Sequence, residues 1–186
     1  MGYWQLFLIA FLLTVIASLY RRMLPKVAIE FSNDGRFCMF ENGVRKYRVD
    51  LNNYGDHQDS ISFRLDHIQD QNGSYLPMDR RGLQRESGNG PMPLSPESPK
   101  YAFLAQLDER SPDTAIEIMT ISDVASGYQP DPIKLPRGRY TLSVSLNPRA
   151  GRPHKARFAV WVDPSNQLRI AKESLPQRKF LGSNRL

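Results

Sequence analysis

Two patterns of apolar and polar residues divide the chain, one at its start and the other over the remainder. Residues 3–20 (YWQLFLIAFLLTVIASLY) contain no charged side chain, and Arg21 and Arg22 follow immediately. At roughly 1.5 Å rise per residue, an uncharged helix of this length is about 27 Å long, close to the ~30 Å hydrocarbon thickness of a bilayer. The pattern therefore predicts a transmembrane anchor over residues 1–20.

Aromatic and basic side chains mark the predicted membrane interfaces. Amphipathic rings favour the interface, and bases favour the cytoplasmic side of a membrane helix. Because the bases of the juxtamembrane linker 21–26 flank only the C-terminal side, we expect the domain that follows to lie in the cytoplasm. The predicted interface residues are Tyr3, Trp4, Tyr20, Arg21, Arg22 and Lys26.

Two other interpretations of the apolar stretch stay open. A helix buried in a soluble domain normally carries a polar stripe, which residues 3–20 lack. A cleaved signal peptide normally begins with Lys or Arg, and here no base precedes the apolar stretch. Bulky Leu19 and Tyr20 also follow directly after the small residues around Ala17 that would form a cleavage site.

From residue 27 onwards the dominant period is two, which is typical of half-buried β-strands. Apolar and polar side chains alternate in several segments, and turn sequences such as Asn33-Asp34-Gly35 separate them. Residues 101–107 and 115–121 are more uniformly apolar and are consistent with central strands, the first also with a short helix. The count is about seven to nine strands, which favours an antiparallel sandwich. The alternating segments are 27–31, 46–51, 61–66, 140–146, 158–162 and 168–170.

The same pattern sets the domain boundaries. Residues 27–171 are enough for one core and too few for two. Within them, residues 80–100 are rich in Pro and Gly, have almost no apolar periodicity, and are predicted to form one long loop. Residues 172–186 are basic and lack periodicity, so we expect a flexible tail.

A resemblance appears at residues 135–146 (LPRGRYTLSVSL), where a Pro-x-Gly-x-Tyr turn precedes strict alternation. This segment resembles a late strand of immunoglobulin-like and fibronectin-like sandwiches, in which a corner tyrosine, here Tyr140, caps the turn. The layout of residues 27–171 is similar to the membrane-anchored immunoglobulin-like domains of bacteria. The resemblance implies an immunoglobulin-like β-sandwich after the anchor and supplies no catalytic residue. The chain departs from antibody domains, because it has a single cysteine and because Trp161 lies in a late strand.

The net charge of +6 is concentrated outside the sandwich. Residues 21–26 contribute three positive charges and residues 172–186 a net of three, so residues 27–171 sum to zero. That distribution suits anionic lipid headgroups and lacks the basic face that a nucleic acid requires.

Within the neutral domain, charge is polarised along the sequence. Residues 108–131 carry six acids and one base, whereas residues 132–162 carry seven bases and no acid. Two interpretations stay open: neighbouring strands paired by opposite charge, or a basic surface that meets an acidic partner. The predicted partner-binding bases are Lys134, Arg137, Arg139, Arg149, Arg152, Lys155 and Arg157.

Candidate chemistry is sparse. His57 lies in a turn-like stretch between Asp56 and Asp59, and a metal or acid–base site would need His67 to converge with it. Cys38 has apolar neighbours and is predicted to pack as a small hydrophobe. No Gly-x-Ser-x-Gly and no phosphate-binding glycine loop occurs, so no catalytic residue, metal or cofactor is predicted.

The sequence therefore predicts a mainly β, single-pass protein of the inner or cell membrane. We expect a non-enzymatic interaction module, or an accessory subunit of a bacterial membrane assembly, that contacts the lipid bilayer and a protein partner. Neither a nucleic acid nor a small-molecule substrate is predicted. The alternative is an extracytoplasmic ligand-sensing sandwich that an uncleaved signal sequence anchors.

Overall fold

The computed structural model describes residues 3–23, 27–55, 57–79, 81–86, 92–96, 100–124, 127–149 and 152–174, without the side chains of residues 17–23, Asp59, Met92, Asp123 and Val124. Within these residues the chain forms helix α1 (Tyr3–Met23) and fourteen strands. The strands are β1 (Val27–Glu30), β2 (Cys38–Glu41), β3 (Val44–Asn53), β4 (Gln58–Gln69), β5 (Arg81–Leu83), β6 (Met92–Leu94), β7 (Lys100–Asp108), β8 (Ile116–Ile118), β9 (Thr120–Val124), β10 (Gly127–Pro130), β11 (Ile133–Leu135), β12 (Arg139–Pro148), β13 (His154–Val162) and β14 (Leu168–Glu173).

All pairings are antiparallel and form two sheets. The six-stranded sheet has the order β1-β3-β7-β8-β11, with β2 also paired to β3. The eight-stranded sheet has the order β10-β9-β5-β4-β12-β13-β14, with β6 also paired to β4. The predicted mainly β architecture of two antiparallel sheets is confirmed.

The core lies between the two sheets, because alternate residues of each strand point to the same face. Strand β12 shows the expected pattern, with Leu142, Val144 and Leu146 buried towards the opposite sheet. At its start the Tyr140 hydroxyl donates a hydrogen bond to the Pro136 carbonyl oxygen at 3.0 Å, so this tyrosine caps the preceding turn as predicted. Fully buried contributors from the six-stranded sheet include Val27, Ile29, Val49, Leu51, Leu104, Leu107, Ile116 and Ile118.

Local turn chemistry explains the tightest connection. Asn42 and Gly43 both have positive φ, at 51° and 77°, and join β2 directly to β3. A two-residue hairpin turn requires this left-handed backbone, which Asn and Gly adopt at the least cost.

The number of strands exceeds the predicted seven to nine. Residues 115–121, predicted as one strand, split at Met119 into β8 and β9, which belong to different sheets. Residues 101–107 form strand β7 and not a helix. Seven of the described strands are only three or four residues long, and apart from β1 they are too short for alternation to identify them.

Strands also lie within the segments predicted as a loop (80–100) and a tail (172–186). The loop contributes β5 and β6, whose Leu83 and Leu94 are buried in the core. Lys172 and Glu173 belong to β14, and residues 175–186 lie outside the described part.

Helix α1 forms where the apolar stretch predicts it. Among the described residues, however, no helix is both long and apolar enough to cross a membrane. The predicted transmembrane role of residues 1–20 is therefore not confirmed.

Candidate functional site

The described part of helix α1 presents apolar side chains to solvent in every direction. Trp4 is 78% exposed and Phe11 60%, and the consecutive residues 6–9 are all exposed. Thr14 adds no polar stripe, because its hydroxyl donates to the Ala10 carbonyl oxygen at 2.8 Å. Four consecutive exposed positions surround a helix of 3.6 residues per turn, so the part of α1 whose side chains are described has no polar face.

The structure describes the side chains of only some of the predicted membrane-interface residues. Tyr3 and Trp4 are exposed at the first turn of α1, and the Trp4 ring packs edge-on against Phe7 at 6.2 Å. The side chains of Tyr20, Arg21 and Arg22, and the whole of Lys26, lie outside the described residues.

Three of the seven predicted partner-binding bases lie near the start of β12. Lys134 faces Glu117 across the β8–β11 pair, with 3.7 Å between its Nζ and the carboxylate oxygen. Arg139 lies over the Trp161 ring at 5.0 Å. Opposite charge on neighbouring strands, one of the two interpretations of the charge pattern, therefore applies to the pair formed by Lys134 and Glu117.

The Arg137 guanidinium is hydrogen-bonded to neighbouring loops. Its Nη2 donates to the Ser111 carbonyl oxygen at 2.8 Å and its Nε to the Thr114 carbonyl oxygen at 3.2 Å, while Nη1 bonds Asn166. These contacts join the turn before β12 to two other loops, so the guanidinium is already engaged.

The other predicted bases lie towards the opposite end of the β12–β13 hairpin. Arg149, Arg152 and Lys155 are exposed there, and Arg157 lies between the two ends at 3.6 Å from Glu173. Ten residues of β12 separate the two groups, a distance of about 30 Å at 3.3 Å per residue. The structure therefore divides the predicted basic surface into two separate groups.

The histidines do not converge. His57 Nδ1 lies 3.1 Å from the Ser95 hydroxyl, His67 packs edge-on against Tyr75 at 5.0 Å, and His154 lies on β13. Asp56 and the Asp59 side chain lie outside the described residues. Within the described part, no group of three His, Cys, Asp or Glu side chains is placed to hold a metal ion.

Polar side chains at the β1 and β14 edges connect the two sheets. The Glu109 carboxylate accepts from Arg45 Nε at 2.6 Å and also from the Leu168 backbone N–H at 2.8 Å. The Tyr47 hydroxyl donates to the Leu168 carbonyl oxygen at 3.2 Å, and burial raises the pKa of Tyr47 to about 12, so the hydroxyl keeps its proton. Both outward backbone groups of Leu168 are therefore bonded from the opposite sheet.

Strand β1 is bonded in the same way from the eight-stranded sheet. The Ile29 backbone N–H donates to His154 Nδ1 at 3.2 Å, and its carbonyl oxygen accepts from Lys172 Nζ at 2.7 Å. Burial, and then the nearby Lys172 charge, lower the pKa of His154, which favours the neutral ring that accepts this bond. Side chains of each sheet thus bond an edge strand of the other.

A pocket of about 360 Å³ lies beside β14. Its lining includes Trp161, Tyr47 and Cys38, together with residues 33–35 and residues 169–171. Cys38 contacts Arg45, with 3.4 Å between Sγ and Nη1. The sequence alone does not reveal this pocket, because its lining comes from two regions that are far apart along the chain, residues 33–47 and 161–171. The Trp161–Arg139 stack is the single feature it shares with the predicted bases.

No protein-family model, no curated protein and no solved structure matches this chain. The structure itself therefore carries the functional argument.

Proposed function

We propose that this protein is a membrane-attached, non-enzymatic interaction module whose helix α1 embeds in the lipid bilayer and whose sandwich binds a protein partner. The observation that carries the proposal is the exposure of α1, which presents large apolar side chains on all sides. Soluble proteins rarely expose an apolar surface of this extent, because burying each such side chain is worth about 1.5–3 kcal/mol.

The charge distribution supports attachment to an anionic membrane. The excess positive charge lies next to α1 and after residue 171, while residues 27–171 are neutral. Basic residues close to an anionic surface contribute about 1 kcal/mol each. We therefore expect the domain to lie close to the inner face of the membrane, on the side of the bases.

Binding is proposed over catalysis because several ionisable side chains of the sandwich serve its architecture. Arg137 joins loops, and Glu109 pairs with Arg45 while bonding a strand edge. Groups that are engaged in this way are not free to exchange protons with a substrate.

We also propose that the sandwich has a fold similar to that of the membrane-anchored immunoglobulin-like domains of bacteria. The two antiparallel sheets and the Tyr140 hydrogen bond to Pro136 support it. Such a domain would act as an accessory subunit, which its helix holds at the membrane beside a partner.

Membrane attachment is tested by extraction and flotation of the full chain. We expect the wild-type protein to resist alkaline carbonate extraction and to float with liposomes that contain anionic lipid. The double variant Phe7→Asp/Phe11→Asp should enter the soluble fraction, because each aspartate costs about 2.5–3.5 kcal/mol at the centre of a membrane helix. Phe40→Asp is the matched control, because Phe40 is 58% exposed on the sandwich and should not affect flotation.

Complete release of the wild-type protein by carbonate would refute the proposal. If the protein instead stays in the membrane, a reporter fused after residue 186 establishes on which side of the membrane the domain lies. A domain on the external side would contradict the cytoplasmic placement and favour the ligand-sensing alternative.

A further inference from the structure

The outer edge of β14 has a defined hydrogen-bonding pattern. In the hairpin that joins β13 to β14, the Asp163 backbone N–H donates to the Gln167 carbonyl oxygen at 2.9 Å. Bonded and non-bonded pairs alternate along antiparallel strands, so Arg169 and Ala171 bond inward to β13. The backbone groups of Leu168, Ile170 and Lys172 must therefore point away from the sheet.

These three residues differ in whether their outward N–H and carbonyl groups have hydrogen-bond partners. Glu109 and Tyr47 bond both outward groups of Leu168. Among the described residues, none bonds the outward N–H or carbonyl oxygen of Ile170 or of Lys172. One end of the edge is thus closed, and the donors and acceptors of the adjoining part have no partner among the residues that the structure describes.

The free part of the edge faces the pocket. Arg169, Ile170 and Ala171 line the pocket together with residues 33–35. Trp161 lies on the outer face of the sheet directly across from Arg169, whereas Tyr47 lies on the inner side. A strand placed here would send alternate side chains towards Trp161 and towards Tyr47.

The charged side chains around the pocket are already paired. Arg45 bonds Glu109, Arg169 Nε bonds the Asp163 carboxylate at 2.8 Å, and Asp34 bonds Arg36 at 3.2 Å. A small anion would therefore compete with carboxylates that are already in place. What the pocket leaves unsatisfied is a backbone donor and acceptor pair between aromatic walls.

We propose that this pocket binds an extended, uncharged peptide segment of a partner protein, which adds as a short strand to the edge of β14. The peptide backbone bonds the N–H and carbonyl oxygen of Ile170, and an apolar side chain packs on Trp161. Main-chain bonds supply the affinity and the alternating side chains the specificity, as in other cases of strand addition. The inference rests on the proposed binding function and names the kind of partner.

The closed end limits the length of the added strand. Because Leu168 is bonded by Glu109 and Tyr47, pairing begins at Ile170 and can extend only towards Lys172. We therefore expect the peptide residue that pairs with Ile170 to dominate recognition.

The test is a selection from a phage-displayed random dodecapeptide library on the full chain in detergent micelles. The blocking variant is Gly35→Trp, because no atom lies within 4 Å of the position that a β-carbon would take at Gly35. Because Gly35 lines the pocket and its φ is not positive, we expect an indole there to obstruct the pocket without backbone strain. Gly35→Ala is the matched control, since it keeps the pocket open.

We expect peptides that bind the wild-type protein and Gly35→Ala equally and lose at least tenfold in affinity for Gly35→Trp. N-methylation of the peptide residue that pairs with Ile170 should cost about tenfold or more, because it removes the donor and blocks strand pairing. Hydrogen exchange at the Ile170 and Lys172 amides should slow when the peptide is bound.

Three results would overturn the inference: no peptide enriched on the wild-type protein over Gly35→Trp, no effect of N-methylation at any position, or amide protection confined to another edge. Selection in micelles also separates this inference from the proposed membrane attachment. A failure of flotation leaves peptide binding measurable, and a failure of peptide binding leaves flotation intact.

Discussion

Removing the Glu109 carboxylate should destabilise the sandwich strongly, because it serves two partners at once. It pairs with Arg45 and accepts the Leu168 N–H from the opposite sheet, at 2.6 and 2.8 Å. The side chains of Arg45 and Glu109 are only 17% and 11% exposed. Glu109→Ala therefore leaves a guanidinium and a backbone N–H with little access to water.

The magnitude follows from these two losses. Removing one partner of a fully buried ion pair costs about 3–5 kcal/mol, and an unsatisfied buried donor costs about 1–3 kcal/mol. Because both side chains keep some exposure and the effects overlap, we expect a loss of about 3 kcal/mol in the free energy of unfolding. For a domain of this size, that corresponds to roughly 6–12 °C in Tm.

Two further variants separate the contributions. Glu109→Gln keeps an acceptor for Leu168 and should lose about half as much. Arg45→Met/Glu109→Leu removes both charges and should be less destabilised than Glu109→Ala, because paired burial of charge contributes little net stability. The difference measures the coupling between the two residues.

The assay is urea unfolding of the full chain in mild detergent, followed by Trp161 fluorescence in a Trp4→Phe background. A midpoint shift at constant m-value reports the change in stability. The reasoning is refuted if Glu109→Ala loses less than about 0.5 kcal/mol, which is the range of ordinary surface substitutions. It is equally refuted if the double variant is the less stable one.

Two other predictions follow from the same structure. Arg137→Ala should lower the free energy of unfolding by about 1–3 kcal/mol, because it leaves loop carbonyl oxygens unbonded. The control Arg152→Ala, at an exposed position, should change it by no more than about 0.5 kcal/mol in urea unfolding. Equal effects of the two variants would contradict the structural role of Arg137. Because burial and Lys172 lower the pKa of His154 below 6.5, the unfolded chain binds the proton first. The free energy of unfolding should therefore fall as pH drops below about 6.5, by at most about 1.4 kcal/mol per pH unit. His154→Asn, which can still accept from Ile29, should remove this dependence between pH 7.5 and 5.5, and an unchanged slope would contradict it.

The edge strands β1 and β14 differ along their length in whether their backbone groups are already bonded. Side chains of the eight-stranded sheet bond β1, and Tyr47 of the six-stranded sheet bonds the first residue of β14, which blocks strand addition at both places. Ile170 stands between these closed positions, beside the pocket. On the β14 edge, strand addition is thereby restricted to a short stretch beside the pocket, which is the condition for specific recognition of a peptide.

The sequence predicts those features that depend on neighbours along the chain. Alternation identified the long strands β3, β4, β12 and β13, because side-chain direction in a strand depends only on residue parity. The Asn42-Gly43 turn and the Tyr140 cap were likewise readable, since each is formed within a few residues.

The predicted basic surface is a feature that spacing along the chain did not determine. Sequence proximity suggested one patch, whereas β12 separates Arg139 from Arg149 by the length of a strand. Nothing in the spacing indicated that Arg137 would bond loop carbonyl oxygens or that Met119 would divide two sheets. These outcomes depend on which strands pair, and that choice minimises the exposed apolar area of the whole domain.

By itself the sequence determined an apolar N-terminal helix, a neutral β domain and the strands whose alternation is long enough to recognise. Only the tertiary structure decided which backbone groups are bonded and which are free. Whether Leu168 is bonded and Ile170 is open depends on Glu109 and Tyr47, which lie far away in sequence and on another sheet. Free edges are a property of sheet order, and sheet order is set by contacts between residues distant along the chain.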